Sequence, residues 1–216
     1  MIIAIDGYSA CGKSTIAKSV AKFLKIHYVD SGAVYRAIAY YCLLNQIDPT
    51  QELKVVEALA LIHIKLLPEV PIRIELNGID VSEEIRSLEV SNIVSEISII
   101  GEVRKKVVAL LRSFGKDFSL VMDGRDIGSV VFPDAEYKFF VTADPNVRAQ
   151  RRFKELQEKG MQISFEEVLN NLHHRDFLDS TREDSPLVKT ADSFEIDTTH
   201  LNLEQQLAVV LRYIGH

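Results

Sequence analysis

Two glycines, a lysine and a serine occur at a set spacing close to the start of the chain. Residues 7–15 read GYSACGKST, in which Gly7, Gly12, Lys13 and Ser14 fill the phosphate-loop pattern G-x-x-x-x-G-K-[ST]. In such a loop, backbone N–H groups surround phosphate oxygens, the lysine neutralises β- and γ-phosphate charge, and the hydroxyl helps to hold Mg²⁺, partly through water. The stretch therefore predicts a site for a nucleoside triphosphate with Mg²⁺. The residues expected there are Gly7, Tyr8, Ser9, Ala10, Cys11, Gly12, Lys13, Ser14 and Thr15.

Arginines occur beside several loop-like positions further along the chain. Phosphoryl transfer spreads negative charge over equatorial oxygens, and planar guanidinium groups suit that charge well. An acceptor that is itself a phosphate is largely dianionic at pH 7, so its transfer needs no general base. Any one of these arginines could equally be an ordinary solvent-exposed surface residue. Together they predict a group of arginines that binds phosphates. They are Arg36, Arg125, Arg148, Arg151, Arg152, Arg175 and Arg182.

The elements around the phosphate loop predict a parallel sheet. Residues 2–5 form an apolar run too short for a helix, and residues 13–24 place apolar side chains at helical spacing. A strand, a glycine loop and a helix N-terminus in this order form an anion site. Further buried strands are predicted at 27–30, 119–123, 137–142 and 194–197, and helical patterns separate them. This alternation is typical of a parallel sheet with helices on both faces.

One segment has a different period. Apolar residues alternate over residues 62–76, and the hairpin-turn dipeptide Asn77-Gly78 follows, which predicts a small antiparallel sheet. A helix should follow and stop at Gly101, and another should run over residues 103–114 with Gly115 as its C-cap. Capping boxes start two later helices, at Ser164 with Glu167 and at Asn202 with Gln205.

Composition excludes several classes of function. The net charge of −6, from 25 basic and 31 acidic side chains, argues against a nucleic-acid or anionic-membrane surface. No apolar run is long enough to cross a bilayer and no signal peptide is evident, so we expect a cytoplasmic protein. The two cysteines have no CxxC spacing, which argues against a disulfide framework or a zinc site. A GTPase would need N-K-x-D and D-x-x-G motifs, and the chain contains neither.

Seven stretches of the chain resemble the bacterial cytidylate kinase (CMP kinase) family, over nearly the full length. The pair DSGAVYR and DGRDIGSVVFPDA is specific to that family, whereas the phosphate loop is shared with very many proteins. The stretches are IAIDGYSACGKST, DSGAVYRAIA, DVSEEIRSLEVSNIVSEIS, VMDGRDIGSVVFPDA, RRFKELQEKG, RDFLDSTREDSPL and EIDTT.

The resemblance implies an α/β fold and a reaction. The fold is a P-loop core of three αβα layers with a parallel sheet (residues 1–61 and 102–216), an antiparallel NMP-binding insert (62–101) and a short lid at about 150–166. The reaction transfers the γ-phosphoryl of Mg·ATP to CMP or dCMP, giving ADP and CDP or dCDP. ATP, Mg²⁺ and the cytidine nucleotides are then the expected ligands of a monomer that binds neither nucleic acid nor membrane.

The resemblance also assigns residues to CMP. Ser95, Arg104 and Asp126 would read cytosine, since a carboxylate can accept from its exocyclic amine and an arginine can donate to its ring acceptors. Uracil has a carbonyl in place of the amine, so Asp126 would be left unpaired in a buried pocket. An unpaired buried group costs about 1 to 3 kcal/mol, which would weaken the use of UMP relative to CMP roughly tenfold. Arg36, Arg125 and Arg182 would hold the acceptor phosphate, and Arg175 and Asp179 would meet the pentose. Ser31, Tyr35 and Asp123 complete the implied CMP set, and the implied catalytic residues are Lys13, Arg125, Arg148, Arg152 and Arg182.

Some alternatives stay open at this point. Asp6 and Asp123 end predicted strands and could serve the nucleotide or Mg²⁺, or could cap turns. Several relatives carry an arginine where this chain has Phe177 and Leu178. A kinase of UMP or of a small hydroxy acid, the latter with Asp126 or Asp30 as base, is one rival reading. The other is a scaffold that binds ATP without turnover.

Overall fold

The computed structural model describes residues 1–158 and 160–216. Residue 159, which falls within the predicted lid at about 150–166, lies outside the described residues. The chain separates into two compact units, residues 1–25 with 121–216 (unit 1) and residues 26–120 (unit 2).

The strands and helices follow the order expected from the sequence. The strands are β1 (Ile2–Gly7), β2 (His27–Asp30), β3 (Ile64–Leu67), β4 (Arg73–Leu76), β5 (Ile79–Asp80), β6 (Leu120–Gly124), β7 (Tyr137–Thr142) and β8 (Phe194–Asp197). The helices are α1 (Lys13–Leu24), α2 (Ser31–Leu44), α3 (Glu52–Ala58), α4 (Leu88–Ile99), α5 (Gly101–Asp117), α6 (Pro145–Glu158), α7 (Phe165–Thr181) and α8 (Leu203–Tyr213). The strands β2, β7 and β8 match their predicted bounds residue for residue, and β6 starts one residue later than predicted.

Unit 1 is built on parallel strands in the order β6-β1-β7-β8. β1 pairs with β7 and β7 pairs with β8, both in parallel, with Ile5 opposite Phe139 and Val141 opposite Ile196. These four side chains are buried, as expected for strands covered on both faces. The order confirms the predicted parallel sheet, and it places the carboxyl ends of β1 and β6, where the phosphate loop and Arg125 follow, at one edge.

Unit 2 contains the antiparallel sheet β3-β4-β5. Leu66 lies opposite Ile74 and both are buried, while their strand neighbours face outward. Asn77 and Gly78 have φ values of 51° and 84°, the pair of positive values that a two-residue type I′ hairpin requires. The predicted antiparallel segment is therefore confirmed.

One of two expectations about helix ends is wrong. The helix α4 ends at Ile99 with Ile100 as its C-cap, directly before Gly101 as expected, although Gly101 is also the first residue of α5. Gly115 does not cap α5, because the helix continues to Asp117. Phe118, the extended C-cap residue, packs its ring against that of Phe114, with the ring centres 4.9 Å apart.

Both predicted capping boxes are present. The Ser164 hydroxyl accepts from the N–H of Glu167 at 3.2 Å, and the Glu167 carboxylate accepts from the N–H of Ser164 at 2.8 Å. Asn202 and Gln205 exchange the same pair of bonds, each at 2.9 Å. None of the described helices is both long and apolar enough to span a bilayer.

Candidate active site

The phosphate loop runs from the end of β1 to the start of α1. Gly7 has a φ of 144°, and a Cβ there would lie 2.0 Å from the carbonyl oxygen of Val141, so only glycine fits. Gly12 takes a left-handed conformation as the N-cap of α1, and Ala10 also has a positive φ, of 58°. The loop thus turns sharply, and it meets the positive end of the α1 dipole where Lys13 and Thr15 begin the helix.

The Lys13 side chain contacts residues of the phosphate loop itself. Its ammonium donates to the carbonyl oxygen of Tyr8 and lies 3.7 Å from the sulfur of Cys11. The side chain is buried, and burial, followed by the positive charge of Arg125, lowers the pKa of Lys13. A bound anion would counter both effects, since it adds negative charge beside the ammonium.

Ser14 and Asp123 bring two kinds of oxygen together. The Ser14 hydroxyl donates to Oδ2 of Asp123 at 2.7 Å, and Asp123 is buried near the end of β6. A hydroxyl beside a carboxylate, next to a phosphate site, is the donor set by which phosphate-loop enzymes hold Mg²⁺. The residues present therefore fit this ion.

A chain of ion pairs connects the loop to Asp126. The Arg125 guanidinium donates to Ser9 Oγ at 2.7 Å and to Asp179 Oδ2 at 2.6 Å. Arg182 lies 3.5 Å from Asp179 and 3.8 Å from Oδ1 of Asp126. Burial acts to raise the pKa of Asp179, but Arg125 and then Arg182 hold it below its usual value. Five predicted site residues thus form one connected network.

The helix α7 positions part of this network. Arg175 lies one turn before Asp179 on the helix, and its charge also helps to lower the pKa of Asp179. The helix ends at Thr181, so Arg182 is the residue that follows its last turn. Arg175 and Asp179 therefore share one face of α7, while Arg182 makes its ion pair with Asp179 from the C-cap position.

Arg148 is buried against the phosphate loop. It donates to Asp176 Oδ2 at 2.6 Å, to the carbonyl of Ser9 at 3.3 Å and to the carbonyl of Ala143 at 3.1 Å. Its guanidinium carbon lies 5.2 Å from the centre of the Tyr8 ring, within cation–π range. Asp176, which the sequence reading missed, is therefore part of the loop's surroundings.

The other arginines of α6 have different contacts. Arg152 pairs with Glu155 on its own helix at 2.8 Å. Arg151 donates to the hydroxyl of Thr198 at 3.0 Å and to its carbonyl at 2.7 Å. That hydroxyl donates to the carbonyl of Cys11 at 2.8 Å, so the fully buried Cys11 is tied to the loop after β8. Thr198 belongs to the stretch EIDTT, but its spacing gave no separate signal.

In unit 2, Arg36 on α2 is held by Asp30. The guanidinium donates to Oδ2 of Asp30 at 2.5 Å. A Cβ on Gly32 would come within 3.1 Å of both side chains, so the glycine leaves room for the pair. Among the described residues, Nε of Arg36 is a buried donor without a hydrogen-bond partner.

Also in unit 2, Arg104 on α5 is buried beside Tyr35. Its Nη1 donates to the carbonyl of Ser98 at 3.0 Å, and its guanidinium carbon lies 5.5 Å from the Tyr35 ring centre. Ser95 lies on α4 and its carbonyl accepts from the Ser98 hydroxyl at 2.8 Å. Ser31 is the buried first residue of α2.

Comparisons with known proteins decide the family. A family model described as cytidylate kinase matches residues 3–216. The chain belongs to the cytidylate kinase family. The reaction of this family is phosphoryl transfer from ATP to CMP. The family and the reaction that the resemblance implied are therefore confirmed.

Individual relatives agree with this family. The cytidylate kinase of Flavobacterium johnsoniae is 48% identical over 219 residues, covering 99% of this chain and 95% of the relative. That of Clostridioides difficile is 46% identical over 215 residues, covering 100% and 98%. A solved structure of an uncharacterized protein from Eubacterium ventriosum aligns with a TM-score of 0.54 at 12% identity, covering 99% and 98% of the two chains. That last likeness concerns the fold alone.

Proposed function

We propose that this protein transfers the γ-phosphoryl of Mg·ATP to CMP or dCMP, giving ADP and CDP or dCDP. The observation that carries the proposal is the connected network from the phosphate-loop residue Ser9, through Arg125, Asp179 and Arg182, to Asp126. It places two arginines and a buried carboxylate next to a triphosphate-binding loop, which suits a phosphate acceptor that carries a cytosine base.

On the donor side, the loop amides and Lys13 hold the triphosphate. Ser14 and Asp123 would hold Mg²⁺, which would neutralise charge on the β- and γ-phosphates. Lys13 is only 5% exposed, so solvent would screen its attraction for the phosphates little.

On the acceptor side, Arg36, Arg125 and Arg182 bind the phosphate of CMP. Arg36 and Arg125 each have a carboxylate partner, which keeps the guanidinium groups aligned before the substrate arrives. Since the acceptor oxygen is already ionised, these arginines need only to orient it and to screen the charge between the two phosphates.

The base and the pentose have their own residues. Asp126 accepts from the cytosine amine, and Ser95 and Arg104 contribute the remaining polar contacts to the ring. Arg175 and Asp179 bind the pentose. Ser31 and Tyr35 are assigned to the CMP site by position, together with Asp123.

Arg148 and Arg152 are assigned to the transferring phosphoryl group. Both lie on α6, which leads into the predicted lid at about 150–166, and the predicted insert at 62–101 lies within unit 2. The lid and the insert are proposed as parts that adjust when nucleotides bind. A cytoplasmic monomer without nucleic-acid partners completes the proposal.

A coupled assay of ADP release tests the function. The purified protein is given Mg·ATP with CMP, dCMP, UMP, AMP or shikimate as acceptor. Turnover with the cytidine nucleotides far above the others is expected. Preference for UMP or shikimate would assign the protein to another acceptor, and ADP formation with none of the five would indicate a scaffold.

A variant of Lys13 links that turnover to the phosphate loop. Lys13→Ala should lower kcat with CMP by at least about a hundredfold, because the β- and γ-phosphates lose their buried counter-charge. Circular dichroism should show an unchanged fold. Turnover close to that of the wild type would remove the phosphate loop from the mechanism.

A further inference from the structure

Asp6 makes a contact that the proposed function does not use. It is the residue before Gly7 in β1, and only 5% of its surface is exposed. Its Oδ1 accepts from the backbone N–H of Ile127 at 2.8 Å, and its Oδ2 accepts from the N–H of Gly128 at 2.7 Å. Both oxygens of one buried carboxylate therefore hold a backbone segment more than a hundred residues away.

That segment starts immediately after Asp126. Residues Ile127–Val131 form a single π-helical turn, and Asp126 is its N-cap. The first N–H groups of a helical turn have no partner within the turn, and an aspartate at the N-cap would ordinarily accept from them. The Asp126 side chain makes no such bond. Asp6 accepts from those N–H groups instead.

Asp6 caps the turn, and the Asp126 carboxylate is directed toward Arg182 instead of the turn. Its Oδ1 lies 3.8 Å from Arg182, in the network that leads to the phosphate loop. Without Asp6, the N–H groups of Ile127 and Gly128 would compete for the same carboxylate. By accepting from these N–H groups, Asp6 removes one competing contact for the Asp126 carboxylate.

The space at this contact is closely filled. A Cβ on Gly128 would lie 3.2 Å from the side chain of Lys138 and 3.4 Å from Oδ2 of Asp6. The charged groups that face Asp6 are Asp126, which repels its charge, and Lys13, which attracts it. The backbone of residue 128 therefore has little freedom to move while Asp6 stays in place.

We propose that Asp6 is a positioning residue for acceptor selection: it caps the turn after Asp126 so that the Asp126 carboxylate meets the base. Asp6 itself does not touch the substrate. This inference rests on the proposed function, because it requires Asp126 to read cytosine.

Steady-state kinetics of Asp6→Asn test the inference. The amide keeps one acceptor oxygen but turns an NH₂ group toward a backbone N–H, so one of the two bonds is lost. We expect the KM for CMP to rise about tenfold, the kcat at saturating CMP to change less than about threefold, and the CMP over UMP ratio of kcat/KM to fall about tenfold. Unchanged selectivity in a folded Asp6→Asn protein would overturn the inference.

A matched control separates this effect from loss of any helix-capping aspartate. Asp144 accepts from the N–H groups of Asn146 and Val147 at the start of α6, at 2.8 and 3.2 Å. Both bonds end on Oδ1, which asparagine would retain, so the control is Asp144→Ala, which removes both capping bonds at a site away from Asp126. It should leave the CMP over UMP ratio unchanged, and a fall equal to that of Asp6→Asn would make the effect nonspecific.

A double-mutant cycle separates the inference from the proposed function. If Asp6 acts through Asp126, then Asp6→Asn in an Asp126→Asn background should lower the ratio no further. Additive effects would overturn the positioning role. If Asp126→Asn alone leaves the ratio unchanged, the base-reading assignment fails instead.

A measurement on the wild type keeps the inference testable if Asp6→Asn does not fold. The pKa of Asp6 is raised to about 6, chiefly by burial. Below that pH its carboxyl is protonated and loses acceptor strength, so the CMP over UMP ratio should fall between pH 7.5 and 5.5. Because both substrates carry the same phosphate, its titration cancels in the ratio. A ratio that stays constant would contradict the inference.

Discussion

The stability of the protein should depend on pH through Asp6. Burial raises the pKa of Asp6 from 3.8 to about 6, against the lowering effect of its two backbone hydrogen bonds. The folded state therefore binds this proton more tightly than the unfolded state does. The resulting stabilisation is complete below pH 3.8 and is lost as the pH rises through about 6.

The size of the effect follows from the two pKa values. Their difference corresponds to about 3 kcal/mol, at about 1.4 kcal/mol for each pH unit, and roughly 2.5 kcal/mol of this is lost between pH 4 and 7.5. Asp6→Asn cannot titrate, so the stability of the wild type minus that of the variant should fall by that amount over this range. Urea unfolding at a series of pH values measures it, as a relative midpoint shift of roughly 1 to 2 M.

An exposed aspartate provides the control. Hydrogen bonds from Thr50 lower the pKa of Asp48, so its stabilisation is present above pH 3.8 and is lost as the pH falls. The stability of the wild type minus that of Asp48→Asn should therefore stay almost constant from pH 4 to 7.5 and should fall only as the pH drops below 3.8. The reasoning would be refuted if the difference in unfolding free energy between wild type and Asp6→Asn did not vary from pH 4 to 7.5. Such a result would mean that ionising Asp6 costs the same free energy in the folded protein as in the unfolded chain.

Three further substitutions have defined outcomes. Gly7→Ala forces a Cβ against the carbonyl of Val141 at a φ of 144°. The substitution should lower the free energy of unfolding, measured in urea, by at least about 4 kcal/mol, or prevent folding. A urea midpoint close to that of the wild type would count against the loop geometry. Asp126→Asn should reduce the CMP over UMP ratio of kcat/KM about tenfold, since an amide can donate as well as accept, and an equal ratio would place base recognition elsewhere. Ser164→Ala removes a capping bond to Glu167 and should lower stability by about 1 kcal/mol, whereas no change in the urea midpoint would show that the cap is dispensable.

Local pattern was enough to predict most elements of the fold. The strand at 137–142 is a short, mostly apolar run and is buried as predicted. The strands at 27–30 and 194–197 also form where predicted, but they contain polar residues, and the expectation that they are buried is wrong: β2 is largely half-buried and β8 is mostly exposed at the sheet edge. The phosphate loop is recognisable because its spacing is fixed by close approach of backbone to phosphate. Gly115 was wrongly predicted to cap α5, because the helix runs two residues past it to Asp117. A glycine signals a helix end only where it takes a left-handed conformation, and Gly115 lies inside the helix.

The partners of the site residues could not be predicted in this way. Arg125 and Arg148 were predicted as phosphate ligands from their type, but their contacts with Ser9 join positions more than a hundred residues apart. The sequence allowed Asp6 to cap a turn, but it did not indicate which turn, and Thr198 gave no signal of its own. A carboxylate or hydroxyl that holds remote backbone has no characteristic spacing. The sequence thus indicates which groups are charged, while the folded chain decides which of them meet.

The burial of both cysteines has a practical consequence. Cys11 lies in the phosphate loop within unit 1, Cys42 lies on α2 within unit 2, and neither thiol is exposed. A thiol-reactive dye can therefore modify either one only after local opening, so labelling rates of the natural protein give an intrinsic kinetic probe for each unit. Protection of Cys11 by added nucleotide, with Cys42 as an internal reference, would show when the loop closes without any engineered label.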